Sequence, residues 1–169
     1  TQSRSSAASD VYKRQGYSGT LKNCYGVWEN GYTSTEADPR GIEADGNLDG
    51  DYSDHLRQSD FTVENMTIVN NAANTTDNVD RMQDVIKIRR GAKATITNAL
   101  VKGSGGTIDL IDMNDSKGVG SASSSISITH TLNFKNKLNG TLNTFTEPTT
   151  NTGADASLFT WSGYNFSSL

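Results

Sequence analysis

Cysteine, proline, cationic charge and long apolar runs are all scarce in this chain, and each scarcity narrows what it can be. The single cysteine, Cys24, excludes an internal disulfide framework and a cysteine-rich zinc site. No apolar run approaches the ~18 residues that span a bilayer, and hydrophobic residues make up only 33% of the chain. A transmembrane segment is excluded on these grounds. Lys and Arg number 15 against 19 Asp and Glu, a net charge of -4, so no basic field exists to hold nucleic acid or an anionic membrane. What the 169 residues hold in quantity is Ser, Thr and Asn, 55 together, beside 16 Gly and 2 Pro. That makeup favours turns and short strands over long helices. It indicates an architecture and a location and discloses no activity.

The first residues stand apart. Ser5 to Gln15 reads SSAASDVYKRQ, which looks like the in-frame translation of a sequencing adapter, has no periodicity and lacks the apolar core of a secretory signal. Residues 1–15 are therefore expected to be a non-native, disordered segment, and residues 16–169 the domain. Removing the former leaves 12 basic and 18 acidic side chains, so the domain is more acidic than the whole chain.

Two kinds of strand recur along the rest. A Thr-apolar-x-Asn pattern occurs at Thr20-Leu21-Lys22-Asn23, Thr62-Val63-Glu64-Asn65 and Thr95-Ile96-Thr97-Asn98. It predicts short strands ending at an Asn that turns the corner, because Asn tolerates left-handed backbone angles. Strict alternation marks the second kind, at Ile42-Glu43-Ala44-Asp45, Ile86-Lys87-Ile88-Arg89 and Ile108-Asp109-Leu110. Ile42 lies 44 residues before Ile86, and Ile86 lies 22 before Ile108, which suggests rungs of about 22 residues. Units are expected at 41–71, 85–103 and 106–136, preceded by an incomplete one at 17–31. Polar loops at 47–60, 70–84 and 116–125 interrupt them. The fold predicted is all-β, a right-handed parallel β-helix whose thin core explains the low hydrophobicity. From about residue 137 the pattern fades, and the aromatic segment Phe159 to Phe166 is expected to cap the stack.

In order along the chain, GYSGTL at 16–21, GIEADGN at 41–47, FTVENMTIVN at 61–70 and IRRGAKATITNALVKG at 88–103 resemble the secreted or surface-anchored parallel β-helix proteins of Bacteroidetes-type bacteria, within the pectin-lyase-like superfold. The likeness covers about residues 16–112. It implies export to the cell surface or periplasm, and it implies that the chain is the C-terminal part of a longer β-helix. It carries no catalytic residues that transfer position by position, and the superfold hosts lyases, hydrolases and binding proteins alike.

Three sets of residues could carry function. Asp45-Gly46-Asn47-Leu48-Asp49-Gly50-Asp51 fits the first half of a calcium loop, with Asp45, Asn47, Asp49 and Asp51 offering oxygen ligands at alternate positions. Leu56 stands where the closing bidentate acid belongs, so the same residues also read as an acidic turn. If rungs stack at the spacing above, Glu43, Lys87 and Asp109 share an external column beside Arg89. That column reads either as a cross-strand charge ladder or as a lyase site, in which a base takes an α-proton and cations neutralise a uronate carboxylate. Aromatic rings stack on sugars, and Tyr25, Trp28 and Tyr32 gather near one end while Trp161 and Tyr164 sit at the other; Trp28 and Tyr32 are the ligand-binding candidates. His55 and His130 lie 75 positions apart and form no metal pair.

The reading favoured is a monomeric surface module, without catalysis, that binds polysaccharide or cell-surface glycan or serves as structural display, with calcium as its one cofactor. The rival is a polysaccharide lyase or glycoside hydrolase acting through Lys87, Arg89, Asp109 and Glu43.

Overall fold

The computed structural model describes residues 18–31, 39–46, 58–73 and 81–166. Residues 1–15, Tyr32, Asn47, Asp49 and Asp51 lie outside them, and with them the adapter reading and most of the calcium loop.

Among the described residues, nine strands alternate between two parallel sheets. β1 (Ser18–Trp28), β3 (Asp60–Asn70), β5 (Lys93–Gly103), β7 (Ser125–His130) and β9 (Thr144–Thr146) form one sheet in that order. β2 (Arg40–Asp45), β4 (Met82–Arg89), β6 (Thr107–Asp112) and β8 (Asn136–Asn139) form the other. Because successive strands enter opposite sheets and every ladder is parallel, the chain coils, and each turn lays one rung upon the last. This is the parallel β-helix that the alternating pattern predicts.

Register explains the core. Leu21, Val63, Ile96, Ile126 and Phe145 align in one column, and Cys24, Met66, Ala99 and Ile128 in a second. From the facing sheet come Ile42, Ile86, Ile111 and Leu138. Central members are buried, and so are the end members Ile42 and Ile128, while the end members Leu21, Cys24, Leu138 and Phe145 are partly so. Each buried Ile or Leu contributes roughly 1.5–3 kcal/mol over exposure.

Asn23, Asn65 and Asn98 all have left-handed backbones, with φ of 56°, 58° and 51°. The corner role assigned from sequence holds, but the strands do not end there: β1, β3 and β5 bend at the Asn and run on for five residues beyond it. Stacking makes a ladder of amides, Asn98 Nδ2 donating to Asn65 Oδ1 at 2.8 Å and Asn65 Nδ2 to Asn23 Oδ1 at 3.0 Å. The ladder stops at β5. β7 has one residue fewer between its aligned isoleucines, Ile126-Ser127-Ile128 against Ile96-Thr97-Asn98-Ala99, and the register shifts there.

Rung length differs from the predicted 22 residues. Ile86 aligns with Ile111, not Ile108, and Ile111 with Leu138, steps of 25 and 27. The coil also continues beyond 137 as a short rung, β8 and β9, before the pattern lapses.

Residues 151–166 do not cap the end of the stack. They run back along its side as a strap from β7 toward β1. Asn151 Nδ2 donates to Ala99 O at 3.2 Å, the Thr152 amide donates to Asn98 Oδ1 at 2.8 Å, and the Ala154 amide to Thr67 Oγ1 at 2.9 Å. Asp155 caps the 3-10 helix Ala156–Ser162, and Gly163 closes it at φ 69°.

Candidate functional site

The charged column of the sequence reading resolves differently from its expectation. Glu43 aligns with Lys87, but the residue opposite Lys87 on β6 is Asp112; Asp109 aligns with Asp84 and Asn136 one column away. The error follows from the rung length, because a step of 25 moves Asp112 into the place that a step of 22 gives to Asp109.

These side chains form a shielded network rather than an open face. Lys87 is only 7% exposed and is bound to Asp112. Arg89 is bound to Glu43 and Asp45 and lies 3.3 Å from Asp115. Arg40 meets Asp84 at 3.1 Å and Glu43 at 3.2 Å, and Arg90 meets Asp45 at 3.5 Å and Asp115 at 3.3 Å. Burial alone would weaken the Arg89 cation, yet the hydrogen bond to Asp45 and the charges of Glu43, Asp45 and Asp115 outweigh it and hold its pKa above the ordinary value. Burial pushes the Asp84 carboxyl up, against the pull of Arg40.

Sequence reasoning missed the closeness of Asp84, Asp109 and Asp112, whose carboxylate oxygens lie within 4.8 Å of one another. Two cations answer part of this charge, Arg40 on Asp84 and Lys87 on Asp112, and neutral amides donate to other oxygens, Asn139 to Asp112 and Asn136 to Asp109 at 2.7 Å. Asp45, first of the calcium-loop candidates, likewise gives its carboxylate to Arg89 and Arg90. Among the described residues, Lys87 and Arg89 are each held by carboxylates. Opposite charges on neighbouring rungs pair with one another, Lys87 with Asp112 and Arg89 with Glu43 and Asp45.

An open site among the described residues lies on the other sheet. The strap lays Phe159, Trp161, Ser162, Gly163, Tyr164 and Phe166 against Tyr25 and Val27 of β1, enclosing a groove of about 610 Å³. That volume falls in the range of small-ligand clefts. Tyr25 packs edge-on against Phe166 at 4.8 Å and Phe159 at 5.8 Å, and Tyr164 leans on Phe166 at 5.0 Å. Tyr164 Oη donates to Glu29 Oε1, tying the strap to the end of β1 across 135 positions of sequence. Burial, that bond and the Glu29 charge push the Tyr164 phenol up to about 12, so it stays protonated as the donor. Trp161 stands 79% exposed.

The groove brings Tyr25 of one aromatic group together with Trp161 and Tyr164 of the other. Trp28, one of the two ligand-binding candidates, does not line it and instead packs half-buried against the core. Phe159, Phe166 and Val27 were not among the binding candidates; the aromatic density of the last residues was the available signal, but its partner strand was not. His130 Nε2 meets Glu147 at 2.7 Å, apart from this groove.

No helix among the described residues is long and apolar enough to cross a membrane. Comparison with curated proteins and with solved structures gave no match. Residues 7–164 match the family model described as pectate-lyase like beta helix domain, and the chain, a coil of parallel rungs around an aliphatic core, belongs to that family.

Proposed function

We propose that the chain is a secreted or cell-surface β-helix module, monomeric and without catalytic activity, that binds polysaccharide or cell-surface glycan through the groove between β1 and the strap. The observation that carries this reading is Trp161, a large ring left in water at the lip of a groove walled by Tyr25, Tyr164 and Phe166. Exposed apolar area of this kind, edged by hydroxyls, marks an interaction site. The C–H face of a pyranose suits the electron-rich face of such a ring. Against the lyase or hydrolase of the same superfold stands the neutralised state of Lys87 and Arg89, which leaves neither presented to a substrate.

A glycan array with and without chelator, run beside an assay for unsaturated uronate products, tests the proposal. Binding without product is expected, and Trp161→Ala should weaken it about tenfold, or 1.4 kcal/mol, with an unchanged circular dichroism spectrum. Loss of binding in chelator would bring calcium into the site. Release of unsaturated sugar, abolished in Lys87→Met, would establish the lyase instead.

A further inference from the structure

We infer that the groove takes a neutral hexose polymer and turns away chains that carry uronate carboxylates; this rests on the glycan-binding reading above. Three observations point the same way. Among the described residues the groove wall is Tyr25, Val27, Phe159, Trp161, Tyr164 and Phe166 with Ser162 and Gly163, and these include no Lys, Arg or His. The charge beside it is an anion, Glu29, fixed there by Tyr164 Oη. The chain as a whole is acidic, at -4.

A carboxylate entering this groove would shed water next to Glu29 with no cation to replace it, which is unfavourable on both counts. Lys22, a cation on the same strand as Tyr25, is engaged by Glu64 at 2.7 Å. Lys87 and Arg89, the side chains that sequence offers for uronate binding, belong to the other sheet and are held by carboxylates.

For a neutral sugar the same wall is well equipped. Ser162 Oγ accepts from the Tyr164 amide at 3.1 Å and keeps its own proton for a sugar oxygen. Gly163 has no heavy atom within 4 Å of where a Cβ would lie, so the floor beside it is open. Trp161 supplies the stacking plate.

The experiment compares hexasaccharides of equal length on the full chain: cellohexaose, mannohexaose and laminarihexaose against hexagalacturonate, by tryptophan fluorescence and calorimetry at low and physiological salt. At least one neutral hexamer should bind about tenfold or more tighter than hexagalacturonate, with little salt dependence. Glu29→Gln retains an acceptor for Tyr164 while removing the charge, and should strengthen hexagalacturonate relative to the neutral sugar. Equal or tighter binding of hexagalacturonate, lost in Trp161→Ala, overturns the specificity and leaves the glycan-binding reading standing. Binding of no hexamer overturns both, and self-association abolished by Trp161→Ala would assign the groove to a second copy of the chain.

Discussion

Asn23, Asn65 and Asn98 meet two demands with one side chain. Their left-handed backbone costs most L-residues roughly 1–2 kcal/mol, and the stacked amides satisfy one another where the rung bends. Asn65 sits in the middle of the ladder, donating to Asn23 and accepting from Asn98. Asn65→Ala loses both the tolerance of the angle and two hydrogen bonds, and is expected to cost about 2–4 kcal/mol. Asn65→Gly keeps the angle and loses only the ladder, for about 1–2 kcal/mol. Urea denaturation of the two variants separates these contributions; equal losses would show that the ladder alone matters. The corner was legible in sequence because Thr-apolar-x-Asn recurs and Asn has a local backbone preference. The ladder was legible only as a consequence of stacking.

The strap is the element on which the candidate site depends. Asn98 ends the ladder with an amide that the next rung does not meet, and the strap answers it, the Thr152 and Gly153 amides donating to Asn98 Oδ1 and Gly153 O accepting from its Nδ2. Gly153 adopts φ 70°, and a Cβ there would stand 2.2 Å from Thr67 Oγ1 and 3.0 Å from Met66 O. Gly153→Ala therefore lifts the strap off β3 and should cost about 1–3 kcal/mol, with loss of the groove. Chemical denaturation and quenching of tryptophan emission together check this: the coil should persist while Trp161 loses its ligand response. None of this was visible in sequence. Phe159 to Phe166 reads equally well as an end cap or as a side strap, since aromatic density does not say which surface is near.

At the scale of the molecule, acid should unfold this protein through its depressed carboxylates. Burial raises the Asp115 pKa, but the Lys117 amide, the Arg90 hydrogen bond and the charges of Arg90 and Arg89 lower it further, to a value below the ordinary 3.8. Its contribution is present above pH 3.8 and lost as pH falls through the lower folded value. Glu147 behaves likewise, held down by Lys137 first and by His130. Asp84 has the opposite sign: burial raises it, so the stability linked to its protonated form is present below pH 3.8 and lost as pH rises through the raised value. Melting temperature against pH should fall on the acid side, and Asp115→Asn should flatten that limb while lowering stability near neutrality. An unchanged acid limb would show that Asp115 is not among the groups responsible.

Fold class was decided by local pattern: alternation of Ile and Val with polar residues, repeated Asn corners, and too few apolar residues for any thicker core. These are short-range properties that a chain expresses wherever it lies, so the two-sheet coil could be read from sequence. Register was not, because Thr107-Ile108-Asp109-Leu110-Ile111-Asp112 offers two isoleucines to the same column and only the lengths of the turns choose Ile111. That three-residue difference sets Asp112, not Asp109, opposite Lys87, where the two form an ion pair. The groove was decided later still, by a strap that returns across four rungs to meet Tyr25. Contacts between residues 135 positions apart are settled by which unsatisfied amides and open faces remain once the coil has formed, and only the tertiary structure contains that information.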